Sequence, residues 1–205
     1  MPLQTAPTIG DRLTEKGVGW AWYAGGWNDA VAGHADPQFA YNHQPFLYFA
    51  NYAPGTPGRA HLKDERDFVS ALADGSLPAV SFVKPIGEEN EHPGTADLIS
   101  GQQHVADLVG RIERSRYAAD TVIVIAYDEN GGRWDHVPPP SGDRWGPGTR
   151  VPAILAGRLA ASHKVDHGQY ETTSILRMIE RRWRLAPVGS RDASAPDLTN
   201  ALIGR

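Results

Sequence analysis

The sequence predicts an α/β fold built on a mainly parallel sheet with helices on both faces. Short β-branched or aromatic runs alternate with segments whose apolar residues recur at helical spacing, the order that parallel strands with crossover helices require. A composition of 22 Gly, 16 Pro and six Trp suits a loop-rich α/β chain better than a helical bundle. At 205 residues the chain is long enough for one hydrophobic core, so residues 1–205 are expected to form a single domain.

Each element has its own signal. Thr8 caps a short helix over Ile9 to Lys16, which Gly17 ends. "VGWAWYAGG" (18–26) reads as a first strand running into a glycine turn. The following stretch, from Trp27 to His61, is irregular, aromatic and proline-rich, the composition of a packed functional loop rather than a flexible linker. Asp64 starts a second helix through about Ala73, closed by Gly75, and "PAVSFVKP" (78–85) is the second strand. Val105, Leu108, Val109 and Ile112 fall at i, i+3, i+4 and i+7, marking an amphipathic helix. "TVIVIAY" (121–127) is the third strand and "RVPAILAG" (150–157) the fourth. Ile175, Leu176, Ile179 and Trp183 set the buried stripe of a last helix whose outer face carries Arg177, Arg181, Arg182 and Arg184.

Charge and composition narrow the function. A net charge of −4, with both signs interspersed, argues against nucleic acid as a partner. The apolar runs fall far short of the roughly 20 residues of a membrane span. Met1-Pro2-Leu3-Gln4 opens without a basic-then-apolar signal peptide. With no cysteine, disulfides and thiolate metal sites are excluded.

In parallel sheets ligands gather beyond the carboxyl ends of the strands, which directs attention to "YDENGG" after the third strand. Adjacent carboxylates at Asp128 and Glu129 repel unless a cation sits between them, and oxygen donors suit the hard Ca²⁺, Mg²⁺ or Mn²⁺ class. Asn130 adds a further oxygen, and Gly131-Gly132 permits a tight turn. The same hexapeptide also suits a plain acidic turn. In "WDHVPPP", Asp135 can hold the ring of His136 in one tautomer. "FAYNHQPF" presents Asn42 and His43 among aromatics, and "GEENEHPG" presents His92 after three acids. Alone, His43 reads more readily as a core histidine and His92 as part of an exposed acidic loop. On one parallel sheet, both loops would converge with Asp128 and Glu129. Arg150 either clamps an anion or ties its loop to Asp143 or another carboxylate, the structural tie being preferred. Glu171 and the neighbouring hydroxyls read as helix caps, leaving His167 a weaker candidate.

Taken together, "GVGWAWYAGGW", "HQPFLYFANYAPGTPGRAHLKD", "NEHPGTAD", "YDENGGRWDHVPPP", "GDRWGPGTRVPAI" and "YETTSILRMIERRW" resemble the bacterial phosphoesterase family. That family holds the AcpA-type acid phosphatases and the phospholipase C enzymes, within the alkaline phosphatase superfamily. The resemblance implies part of an alkaline-phosphatase-like fold and a metal-dependent hydrolase of phosphomonoesters, the first two blocks favouring the acid phosphatase branch. It implies Asp128 and Glu129 as ligands of a divalent ion, and His43 and His92 as contacts of the phosphoryl group. Asn42, standing where that branch often has a second histidine, still donates a hydrogen bond. The family's amino-terminal Glu-Asn-x-Ser-Phe-Asp-His type block and its hydroxyl nucleophile have no counterpart here, so the chain resembles the carboxyl-terminal portion of such an enzyme. Neither Ser81 nor Ser100 lies in a matching motif, and no nucleophile is assigned. Two alternatives remain. One is a phospholipase C acting on phosphodiester lipids, with Trp20, Trp22 and Trp27 as an apolar rim. The other is a non-catalytic remnant or partner subunit completed by an amino-terminal half. An isolated half is expected to self-associate through exposed edges. The resemblance further implies a periplasmic or secreted protein.

Overall fold

The computed structural model describes residues 2–160 and 164–202. The chain forms two compact units, Met1–Ser115 and Arg116–Arg205, where the sequence reading has one domain.

The first unit is built on a wholly parallel sheet of three strands: β1 (Trp20–Ala24), β2 (Leu62–Asp64) and β3 (Val80–Lys84), in the order β2-β1-β3. Central β1 places Trp22 opposite both Leu62 and Phe82. Its alternation sends Trp20 and Trp22 to one face and Tyr23 to the other. On the tryptophan face lie α1 (Ile9–Glu15) and the aromatic turns of residues 41–61, with Phe46, Tyr52 and His61 against Trp20. Gly10 of α1 leaves no room for a Cβ against the Trp20 ring, which is why that helix can lie so close. On the opposite face Phe68 of α3 (Glu65–Asp74) packs edge-on against Tyr23. Helices thus cover both faces, as expected for the α/β class.

Local sequence explains the helix ends. Thr8 and Asp11 form a reciprocal capping box, and Asp64 and Asp67 form another at the start of α3. Gly75 closes α3 at φ 84°, a left-handed position that favours glycine. Asp97 caps α4 (Leu98–Glu113) by accepting from Ser100 N. The stretch after β1 is packed as expected, with Phe39, Phe46 and Tyr52 buried. It also holds α2 (Trp27–Val31) and runs straight into the three-residue β2, two elements the sequence reading did not resolve.

In the second unit β4 (Ile123–Ala126) and β5 (Ala153–Ala156) pair antiparallel, with Ile125 opposite Ile154. The mainly parallel arrangement expected from sequence is met by β1, β2 and β3, and this pair is the antiparallel exception. The connection through residues 127–152 contains no crossover helix among the described residues, and a strand pair without one reverses direction. The sequence reading did not separate the strands into two sheets; β4 pairs with β5, not with the β2-β1-β3 sheet. The last helix, α5 (Thr173–Trp183), buries Ile179 and is followed by α6 (Ser190–Ser194).

Candidate functional site

The acidic pair stands where the sequence reading put it, just past the carboxyl end of β4, and both side chains are exposed. The turn is closed by its own side chains. Asp128 Oδ1 accepts from Glu129 N at 3.1 Å, Glu129 Oε2 from Gly131 N at 2.7 Å, and Asn130 Oδ1 from Gly132 N at 2.9 Å. Gly131 and Gly132 take φ of 59° and 73°, so the glycine pair makes this bend possible. Asn130 Nδ2 also donates to Thr149 Oγ1 at 2.7 Å, tying the two ends of the 127–152 loop together. All the donors offered here are oxygens, the set a hard divalent cation prefers.

Asp135 has a different partner from the one expected. Its carboxylate receives both Arg150 Nε (2.8 Å) and Arg150 Nη2 (2.9 Å), and this fork holds it well below the usual carboxylate range. His136 Nδ1 lies 3.7 Å from Asp135 Oδ1, beyond hydrogen-bond reach, and its ring is exposed. Asp135 therefore pins the loop through Arg150, and the structural role preferred for Arg150 is observed. Glu171 Oε2 likewise pairs with an arginine, Arg191, at 2.7 Å, while its Oε1 accepts from Thr173 Oγ1 at 2.6 Å at the start of α5, and His167 is exposed.

His43 and His92 both belong to the first unit. His43 is half-buried in a single helical turn, Tyr41–His43, whose carbonyl accepts from Trp22 Nε1 at 2.7 Å, so the turn is anchored on β1. Asn42 beside it is exposed. His92 is exposed on the loop from β3 to α4, where its Nδ1 lies 2.9 Å from the Pro93 carbonyl. Ser100 Oγ is engaged with Asp97 Oδ2 at 2.9 Å, which makes it part of a helix cap. Of the tryptophans expected as an apolar rim, Trp20 and Trp27 are buried in the core and Trp22 is half-buried, while Trp134 and Trp145 are 85% and 74% exposed. Both stand on the loop that follows Asp128, Trp134 next to Asp135 and Trp145 five residues before Arg150 in sequence.

A second cluster escaped the sequence reading. His104 of α4 lies with Nε2 2.7 Å from Glu65 Oε1 and Nδ1 3.2 Å from Glu89 Oε2. Glu65, at hydrogen-bonding distance, raises the His104 pKa against the effect of burial, with Glu89 and Asp107 adding negative field. These three residues can bring one ligand atom each to within 4.8 Å of the others, a metal-capable group. Glu65 follows β2, Glu89 sits in the turn after β3, and His104 is a helix residue. No local spacing links them, so only "GEENEHPG" hinted at one member. Among the described residues, no helix is long and apolar enough to cross a membrane.

A family model described as "Phosphoesterase family" matches residues 1–186. Phospholipase C B of Mycobacterium tuberculosis is 26% identical over 226 residues, covering 93% of this chain and 42% of that protein. Non-hemolytic phospholipase C of Pseudomonas aeruginosa is 25% identical over 239 residues, covering 96% of this chain and 33% of that protein. Non-specific phospholipase C6 of Arabidopsis thaliana is 28% identical over 151 residues, covering 58% and 29%. The chain spans less than half the length of these relatives.

Proposed function

The chain belongs to the Phosphoesterase family, and from that membership we propose that it supplies acids and histidines to the active site of a metal-dependent phosphoester hydrolase. The carrying observation is the exposed Asp128–Glu129 turn at the exit of β4, held in shape by its own backbone bonds and by Asn130. Asp128 and Glu129, backed by Asn130, would hold a divalent ion of the Ca²⁺, Mg²⁺ or Mn²⁺ class. When bound, that ion would supply positive charge opposite the phosphoryl oxygens. His43 and His92 donate hydrogen bonds to those oxygens, most effectively as imidazolium, and Asn42 adds an amide donor. Asp135 acts on the site only through the shape of its loop. The attacking hydroxyl is assigned to no residue of this chain, so the reading makes it one portion of a larger active site.

Two substrate classes fit. Phospholipid diesters are favoured by the phospholipase C relatives and by exposed Trp134 and Trp145, which offer apolar surface on the loop that follows the acidic turn. Phosphomonoesters are favoured by the acid-phosphatase-like blocks around Trp20 and Phe46. The deciding experiment assays p-nitrophenyl phosphate and phosphatidylcholine vesicles with the chain alone and together with a separately produced amino-terminal half. Turnover is expected only in the mixture. Asp128→Ala should lower it by on the order of a hundredfold or more. Robust turnover by the chain alone, or an unaffected D128A, rejects the assignment. Export beyond the cytoplasm belongs to the same reading and is tested by fractionating the native host.

A further inference from the structure

Beyond the carboxyl ends of the parallel strands lies a cavity of about 360 Å³, lined by Gly25 and Gly26 after β1, Asp64 ending β2, Ile86 after β3, and by Glu65 and Glu89. This is the position where parallel α/β sheets bind ligands. A Cβ on Gly25 would meet Ile86 N at 2.6 Å, so glycine lets β1 and the β3 exit close this end of the sheet. Asp29 and Asp36 also line the cavity, and its one lining cation, Arg66, is paired with Asp29 and Asp64. Glu65 and Glu89 are left to face His104.

Glu65 shows that this cluster wants a cation. The residue is 9% exposed, and its Oε2 is buried without a hydrogen-bond donor. Its other oxygen is 2.7 Å from His104 Nε2. A buried carboxylate oxygen with no donor is costly, and an ion bound there removes the cost. Metal–ligand bonds of about 2.0–2.2 Å from three atoms within 4.8 Å of one another can close on one ion after small rotamer changes.

We propose that Glu65, Glu89 and His104 form a metal site for a divalent first-row transition ion of the Mn²⁺ to Zn²⁺ series. It shares no residue with the acidic turn at Asp128 and Glu129 and does not depend on the phosphoesterase reading. The nitrogen donor distinguishes it from the all-oxygen Asp128–Glu129 set, because imidazole favours transition ions over Ca²⁺ and Mg²⁺. The cavity beside Glu65 and Glu89 leaves room for water or an anionic ligand on the open side of the ion.

The test titrates the full chain with Co²⁺ alone, following d–d absorption and heat, in a D128N/E129Q background that disables the other candidate. One Co²⁺ per chain is expected, unmoved by millimolar Mg²⁺. Adding His104→Gln should weaken binding about a hundredfold, and adding Glu89→Gln about tenfold. Glu89 is half-exposed, so E89Q decides the matter even where H104Q fails to fold, with far-UV circular dichroism reporting folding. Absence of saturable Co²⁺ binding in the background variant, or binding that E89Q leaves unchanged, overturns the proposal. The cluster is then an imidazolium bridging two carboxylates.

Discussion

Replacing Glu180 by glutamine should flatten the pH dependence of stability and make the protein more stable above about pH 7. Glu180 is 1% exposed on the inner side of α5 and faces the buried carboxyl of Asp192. Burial, with the Asp192 carboxylate beside it, pushes the Glu180 pKa up to about 7, while the Val188 N–H at 3.3 Å and Arg177 at 3.9 Å only partly oppose the shift. The folded state therefore keeps a proton that the unfolded chain releases above about pH 4.5. Stability from this group is full below about pH 4.5, declines as pH rises, and settles at its lower value above about pH 7. A shift from 4.5 to about 7, at about 1.4 kcal/mol per unit, gives a loss of about 3 kcal/mol as an order of magnitude. Asp192 runs the other way: against its own burial, the hydrogen bond from Glu180, then those from Val188 N and Gly189 N, hold it low, so its contribution is lost only in more acid solution. Glutamine keeps the shape, accepts from Val188 N and stays neutral. Urea unfolding of wild type and E180Q across pH 4 to 8 should show the difference growing by about 2–3 kcal/mol in favour of the variant. Parallel curves would refute a protonated Glu180 in the folded state.

Asp64 accepts from both Arg66 N and Asn28 N at 2.9 Å while almost fully buried, so Asp64→Ala should cost about 2 kcal/mol in thermal or urea unfolding. If Arg150 serves the site only by forking onto Asp135, then R150A and D135N should each lower phosphoester turnover, and the double variant should be no worse than either; additive losses would separate their roles. Replacing Trp134 and Trp145 by serine removes about 1.5–3 kcal/mol of available apolar burial per side chain. Phosphatidylcholine hydrolysis should therefore fall tenfold or more beyond any loss on p-nitrophenyl phosphate, and equal losses on both would argue against a lipid rim.

What the sequence by itself determined is local. The caps at Thr8 and Asp64, the glycine stop at Gly75 and the stripes of α4 and α5 are legible because their determining contacts lie within four residues along the chain. The placement of Asp128 and Glu129 at a strand exit is legible for the same reason, since a β-branched run and a Gly-Gly turn are adjacent signals. The antiparallel pairing of β4 with β5 was not readable, because pairing partners are chosen by what is buried together, not by either strand's own composition. Trp20 and Trp134 look alike in a string of letters, yet one fills the core under α1 and the other stands in solvent. Arg150 found Asp135, and Glu65, Glu89 and His104 came from three separate elements to one end of a sheet. Such meetings depend on how β1, β2 and β3 stack and where their exits point. Distance along the chain carries no information about them, and only the packed tertiary structure decides which charges share a low-dielectric space.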